Sequence, residues 1–162
     1  MSTFLNRIRQ GLLLLMASSW LTSQAAPFQL SSDGQEVTDL HTGLVWQRCP
    51  VGMHWDETTC TGNTQYFMWY EALPAAQNQA MASGKVWRVP SVKELATIID
   101  RSQFNKAIDS QAFPNTPNDR FWTSSPYTTD AFFGWQVNFF DGGIFYTYLE
   151  DMGALRLVRG EP

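Results

Sequence analysis

Cys49 and Cys60 are the only cysteines in the chain, separated by ten residues that include Gly52, Thr58 and Thr59. What such a pair does depends on the redox state of the compartment in which the chain folds. The N-terminal residues bear on that. Arg7 and Arg9 precede the apolar run from Gly11 to Ala17, and Ser23 and Ala25 place small residues third-last and last before a signal-peptidase cut. The pattern predicts a signal peptide over residues 1–25, with cleavage after Ala26 as the neighbouring alternative. A membrane anchor needs roughly 20 mostly apolar residues, and Ser18, Ser19, Thr22, Ser23 and Gln24 interrupt this run. No cysteine stands at the cut to carry a lipid, and no later segment is apolar enough to span a bilayer. The expected destination is therefore exported: the periplasm, the cell surface or the medium. There the two cysteines are expected to form a disulfide closing a surface loop. Zinc binding or thiol chemistry is the competing reading, with His54 between the cysteines and His41 the only other histidine.

Removing residues 1–25 leaves a single expected domain, 26–162. The leader holds two basic residues and no acid, so its loss takes the formal net charge from −4 to −6. That balance speaks against nucleic acid as a partner, which demands a basic footprint. An aromatic content of 14% with only 16% charged residues fits a packed domain rather than a disordered chain.

Punctuation along the chain divides it into strands, two helices and more strands. Phe28–Gln35 reads as a strand turning at Asp33-Gly34. Glu36–Leu40 and Leu44–Gln47 flank His41-Thr42-Gly43 as a hairpin. Met68–Ser83 is rich in Ala, Gln and Met, with Ala72, Leu73, Ala76, Ala80 and Met81 as its buried face. Pro74 should kink this helix or delay its regular part to Leu73, and Gly84 should stop it. Ser91-Val92-Lys93-Glu94 is a capping box, opening a helix buried through Val92, Leu95, Ile98 and Ile99 and ending near Asp100 or Arg101. Residues 102–120, with Pro114 and Pro117, read as a long irregular connection, a type of segment that often carries function. Strands follow at Phe121–Ser125, Gly134–Phe139, Ile144–Tyr148 and Ala154–Arg159, with Trp135, Val137 and Phe139 on one face and a turn at Asp141-Gly142-Gly143. The order predicts an α+β domain.

Several of these segments, taken in order, are familiar. They are Val37-Thr38-Asp39, Thr42-Gly43-Leu44-Val45-Trp46, Trp69, and Trp87-Arg88-Val89-Pro90-Ser91-Val92-Lys93-Glu94-Leu95. Ala112-Phe113-Pro114, Phe121-Trp122-Thr123-Ser124-Ser125 and Arg156-Leu157-Val158-Arg159 complete the series. Together they resemble the Lcl C-terminal domain family, named for the Legionella collagen-like adhesin. The R-x-P-S-x-x-E helix start and the closing R-L-V-R also look like the formylglycine-generating-enzyme type of C-type lectin-like fold. The resemblance implies a C-type lectin-like α+β domain with two helices packed on a twisted antiparallel sheet. The enzyme's activity does not carry over, because its cysteine pair comes late in the chain and Cys49 and Cys60 come early. The calcium-dependent sugar motifs E-P-N and Q-P-D of lectins are absent from the sequence as well.

Trp46, Trp87, Trp122 and Trp135 fall at core-facing positions on their strands. Arg88 and Glu94, flanking Pro90 and Ser91, are expected to pair with each other or to cap backbone. Arg156 and Arg159 are expected to make salt bridges in preference to binding a carboxylate or phosphate ligand. Two histidines, no acidic cluster and no G-x-S-x-G leave no catalytic residues, no metal site and no cofactor to nominate. Ser124 and Ser125 lack a histidine to activate them. The best candidate surface is the 102–130 region with the turn at 140–143, where Tyr127, Phe132, Phe140, Asp141 and Tyr146 could stack on a ligand. The expected function is an adhesin-like, non-catalytic binding module for a glycan or an envelope protein. The alternative is a structural or assembly component of a bacterial envelope complex. A homo-oligomer is compatible with either.

Overall fold

The computed structural model describes residues 27–160; the expected signal peptide lies outside them. Eleven short strands and two helices make up these residues, as an α+β domain should. The first layer is a four-stranded sheet in the order β1 (Phe28–Leu30), β2 (Glu36–Asp39), β3 (Val45–Gln47) and β11 (Val158–Arg159). The second is five-stranded: β6 (Tyr66–Phe67), β10 (Gly153–Ala154), β7 (Arg120–Pro126), β8 (Phe133–Asn138) and β9 (Gly143–Tyr148). A small hairpin, β4 (Met53–Trp55) with β5 (Cys60–Gly62), carries the disulfide. The antiparallel expectation needs one correction: β10 runs parallel to β7, pairing Ala154 with Phe121.

The two helices lie against opposite faces of the second sheet. Phe121 pairs with Val137 and Trp122 with Gln136, so neighbouring positions on β7 and β8 point to opposite sides. Phe121 and Val137 join a core with Leu95 and Ile98 from the α2 segment (α2, Val92–Thr97), together with Val37, Trp46 and Phe113. Trp122 joins a second core with Ala72 and Ala76 of α1 (Trp69–Ser83), together with Trp87, Val89, Leu155 and Leu157. The chain from Gly153 to Val158 is buried throughout. It leaves the second sheet after Ala154 and joins the first at Val158, feeding Ala154 and Val158 to one core and Leu155 and Leu157 to the other. The single alternating strand expected over 154–159 is thus two strand fragments, because the segment is enclosed on both sides.

α1 begins at Trp69, where the Glu71 carboxylate accepts the Met68 N–H at 2.9 Å, and ends at Gly84, whose φ of 66° suits glycine. It runs through Pro74 on its exposed side, where the helix forgoes the N–H that would bond the Tyr70 carbonyl. Its buried stripe is narrower than the sequence pattern: Leu73 and Met81 are exposed, and small Ala72 and Ala76 let the helix approach Trp122 closely. α2 is shorter than expected. Its start is held from two directions: Ser91 Oγ accepts the Glu94 N–H at 3.3 Å, and Ser125 Oγ accepts the Val92 N–H at 3.0 Å. Ser124 donates its N–H to the Pro90 carbonyl at 2.7 Å. The two serines therefore join β7 to the start of α2.

The expected ion pairs form, with one exception. Arg88 forks onto Glu94 at 2.9 and 2.6 Å and also reaches the Gly160 carbonyl. Glu36 accepts from Lys85 and, at 2.5 Å, from Arg159. Burial raises the Glu36 carboxyl, but hydrogen bonds from Lys85 and Arg159 outweigh this and hold it below its ordinary range. The Arg88 hydrogen bonds hold Glu94 low against the opposing effect of burial. Carboxyls depressed in the folded state contribute stability above their unfolded pKa, near 4.5, that is lost as pH falls through the folded values. The denaturation midpoint of the parent should therefore drop below about pH 4.5. Glu36→Gln and Glu94→Gln should each start lower and fall less steeply; an unchanged acid limb in both would show that the two pairs carry no linkage.

Arg156 is the exception. It is fully buried and meets no carboxylate among the described residues. Its guanidinium donates to the Gln47 carbonyl at 2.9 Å, to the Arg48 carbonyl, and to Thr116 Oγ1 at 2.6 Å, with the Phe113 ring 4.8 Å away. Burial pushes its pKa down to about 9, so it remains a cation at neutral pH.

Candidate functional site

The irregular connection between α2 and β7 is exposed over residues 101–105 and anchored to the domain over residues 107–116. Ala107, Ile108, Ala112, Phe113 and Thr116 are buried within it. Arg48, a residue that no local pattern distinguishes, fastens it: Nε reaches the Ala112 carbonyl at 3.2 Å and Nη2 reaches that of Gln111 at 3.1 Å. The guanidinium also lies 3.6 Å from the Trp55 ring centre. Asn115 Nδ2 donates to the Cys60 carbonyl at 3.0 Å. The disulfide hairpin, Arg48, Arg156 and residues 111–116 thus brace one another. The Cys49–Cys60 bond is formed, and both cysteines are buried.

The five proposed ligand residues separate into two places. Phe140 and Asp141 sit at the β8–β9 turn, where Phe140 packs edge-on against Phe104 at 5.0 Å and Asp141 Oδ1 accepts the Gly143 N–H at 2.9 Å. Tyr127, Phe132 and Tyr146 lie at the other end of the hairpin. There the pairings Trp135–Tyr146 and Phe133–Tyr148 place four rings on the same sheet face as Val137 and Ile144. The Val137 end of that face is covered by the core that contains Leu95 and Ile98. The Trp135 end belongs to neither core. Trp135 is therefore half-buried rather than central, although it shares a strand face with Val137.

These rings form a cluster. Tyr127 stacks on Tyr146 at 4.2 Å and 18°, Trp135 meets both edge-on at 5.6 and 5.8 Å, and Phe133 lies 4.4 Å from Tyr148. Tyr127 is held by its N–H bond to the Phe133 carbonyl at 3.0 Å. Beside the cluster runs a groove of about 520 Å³ lined by Tyr70, Asp130, Phe132, Phe133, Tyr148, Leu149 and Glu150. Phe132 is 73% exposed, Tyr148 60% and Tyr146 48%. Among the described residues the hydroxyls of Tyr127, Tyr146 and Tyr148 have no partner, and the only charged side chains lining the groove are acids. Such a surface can stack on the C–H face of a sugar or on a planar side chain, with hydroxyls and carboxylates available for hydrogen bonds.

A second, smaller hollow of about 280 Å³ lies against the disulfide, lined among others by Gln35, Gln47, Gln79, His54 and Lys85. Its Lys85 is engaged by Glu36. Among the described residues no group of three or more His, Cys, Asp or Glu is placed to hold a metal ion, and no helix is long and apolar enough to cross a membrane.

The architecture is that of a disulfide-braced α+β domain whose sequence motifs build its frame. Trp46, Trp87 and Trp122 fill the cores, while Arg88, Pro90, Ser91, Glu94, Arg156 and Arg159 join helix, sheet and closing strand. The sequence profile of the Lcl C-terminal domain matches residues 35–159, and the chain belongs to that family. A search of curated proteins gave no match.

Proposed function

We propose that the protein is an exported, non-catalytic binding module, adhesin-like in character, that recognises a glycan or protein ligand. The observation that carries this reading is the ring cluster at the uncovered end of the β7–β8–β9 face, with its neighbouring aromatic groove. Export draws on the leader pattern of residues 1–25 and on the disulfide, which suits an oxidising compartment. The C-type lectin-like resemblance agrees with a recognition role.

Asp130 and Glu150 on the groove and the net charge of −6 expected after cleavage favour neutral or cationic ligands over sulfated polyanions. On a glycan array, neutral glycans should be retained and sulfated ones excluded at low salt. The combined variant Phe132→Ala, Tyr146→Ala, Tyr148→Ala should lose binding by at least about tenfold, since three stacking contacts go. The variant should stay folded, losing about 1–2 kcal/mol with the partly exposed ring pairs of Tyr146 and Tyr148. Binding that survives this variant would place the site elsewhere, and absence of binding to glycans and envelope proteins alike would defeat the proposal. The second reading, an assembly component, is favoured by the free edge of β9; crosslinking pull-down of a stoichiometric envelope partner would select it.

A further inference from the structure

β9 is the outer strand of the five-stranded sheet. Leu149 donates its N–H to the Phe132 carbonyl at 2.9 Å, next to the Phe133–Tyr148 pair. Bonded and non-bonded pairs alternate in an antiparallel ladder, so Gly143, Phe145 and Thr147 bond inward to β8. Ile144, Tyr146 and Tyr148 then turn their backbone groups outward. Among the described residues the outward groups of Ile144 and Tyr146 and the Tyr148 N–H have no backbone partner, while the Tyr148 carbonyl takes the Asp151 N–H at 3.0 Å. The strand is six residues long, unbulged against β8, and free of proline and charge. Natural edge strands are ordinarily blunted by those very devices.

We propose that this edge pairs with β9 of a second copy, antiparallel, about a two-fold axis at Tyr146. That register pairs all three outward residues of each strand: Tyr146 faces its own equivalent, and Ile144 faces Tyr148. The Tyr146 pair exchanges two backbone hydrogen bonds, and each Ile144–Tyr148 pair gains the one from the Tyr148 N–H to the Ile144 carbonyl, since Asp151 holds the Tyr148 carbonyl. Pairing joins two five-stranded sheets into one and sets two ring clusters side by side. The inference goes beyond the single-copy binding face and does not require it.

Cysteine crosslinking of the mature protein reads the register directly. Bonded antiparallel pairs have Cα atoms about 5.5 Å apart, a span that a disulfide bridges. Tyr146→Cys should oxidise to a covalent dimer. Ile144→Cys and Tyr148→Cys should each stay monomeric on a non-reducing gel, and a mixture of the two should crosslink. In sedimentation, the parent should dimerise with rising concentration. Ile144→Pro, which removes an outward N–H and spares the ladder to β8, should weaken that association by about tenfold. A parent that remains monomeric to millimolar concentration, or crosslinking of Ile144→Cys alone as fast as Tyr146→Cys, overturns the proposal. Because Ile144 lies outside the aromatic groove, loss of pairing and loss of ligand binding are separable results.

Discussion

Replacing Arg156 with alanine is expected to cost the domain about 3–5 kcal/mol, a large share of the stability of a protein this size. Three acceptors lose their donor: the carbonyls of Gln47 and Arg48 and the hydroxyl of Thr116. Each buried polar group left unpaired costs about 1–3 kcal/mol. The side chain also fills space against Phe113, so a cavity adds to the loss. Removing a buried cation relieves its desolvation, which is why the total is set below the sum of three full penalties. Urea unfolding followed by tryptophan fluorescence measures the difference. Arg156→Met keeps most of the volume and should fall between parent and alanine variant. Arg156→Lys should remain clearly destabilised, because one ammonium cannot reproduce the planar fork that serves three acceptors. A midpoint for Arg156→Ala within about 1 kcal/mol of the parent would show that water takes over those bonds at little cost.

Replacing Cys49 and Cys60 together with serine is expected to cost about 2–4 kcal/mol, the usual effect of opening a loop of this length. The effect should spread beyond the hairpin. The Cys60 carbonyl receives Asn115, and Trp55, which pairs with Cys60, stacks under Arg48. Amide exchange in the double-serine variant should therefore accelerate in residues 111–116 as well as in 53–62. The aromatic groove at Phe132 and Tyr148 lies on another part of the sheet, so ligand affinity at a temperature where the variant is folded should be retained. Faster exchange confined to 53–62 would show that the hairpin does not brace the loop. Free thiols titrating in protein recovered from the envelope would remove the disulfide from the native state altogether.

Much of the frame was legible because its signals are local. The capping box at Ser91–Glu94, the glycine stop at Gly84 and the turn at Asp141-Gly142-Gly143 depend on residues within a few positions of one another. All three stand in the structure. The cysteine pair was legible from spacing, and Arg88–Glu94 and Arg159 from charge. Arg156 departs from its expectation for a physical reason: charge in a sequence suggests an acid partner, and carbonyls offered by a folded backbone leave no mark in the sequence. Arg48, which also binds carbonyls, carries no sequence signal on the same ground.

The candidate site was legible only in its ingredients. Tyr127, Phe132 and Tyr146 are among its candidates, but alternation assigns Trp135 to the core with Val137, and the loop argument groups Phe140 and Asp141 of the 140–143 turn with them. Period-two patterning tells which residues share a face and not how far along the strand a covering layer extends. Here that cover stops short of Trp135.

From residue order alone follow the strand and helix sequence, the caps, the disulfide and the family, since each rests on short-range stereochemistry or on a recognisable run of residues. The placement of the helices on opposite faces and the transfer of residues 153–159 from one sheet to the other arise from long-range packing. So do the burial of the 107–116 loop and the exposed end of the aromatic face. Those features depend on which apolar surfaces meet across the fold, and contacts made far apart in the chain have no local signature to read.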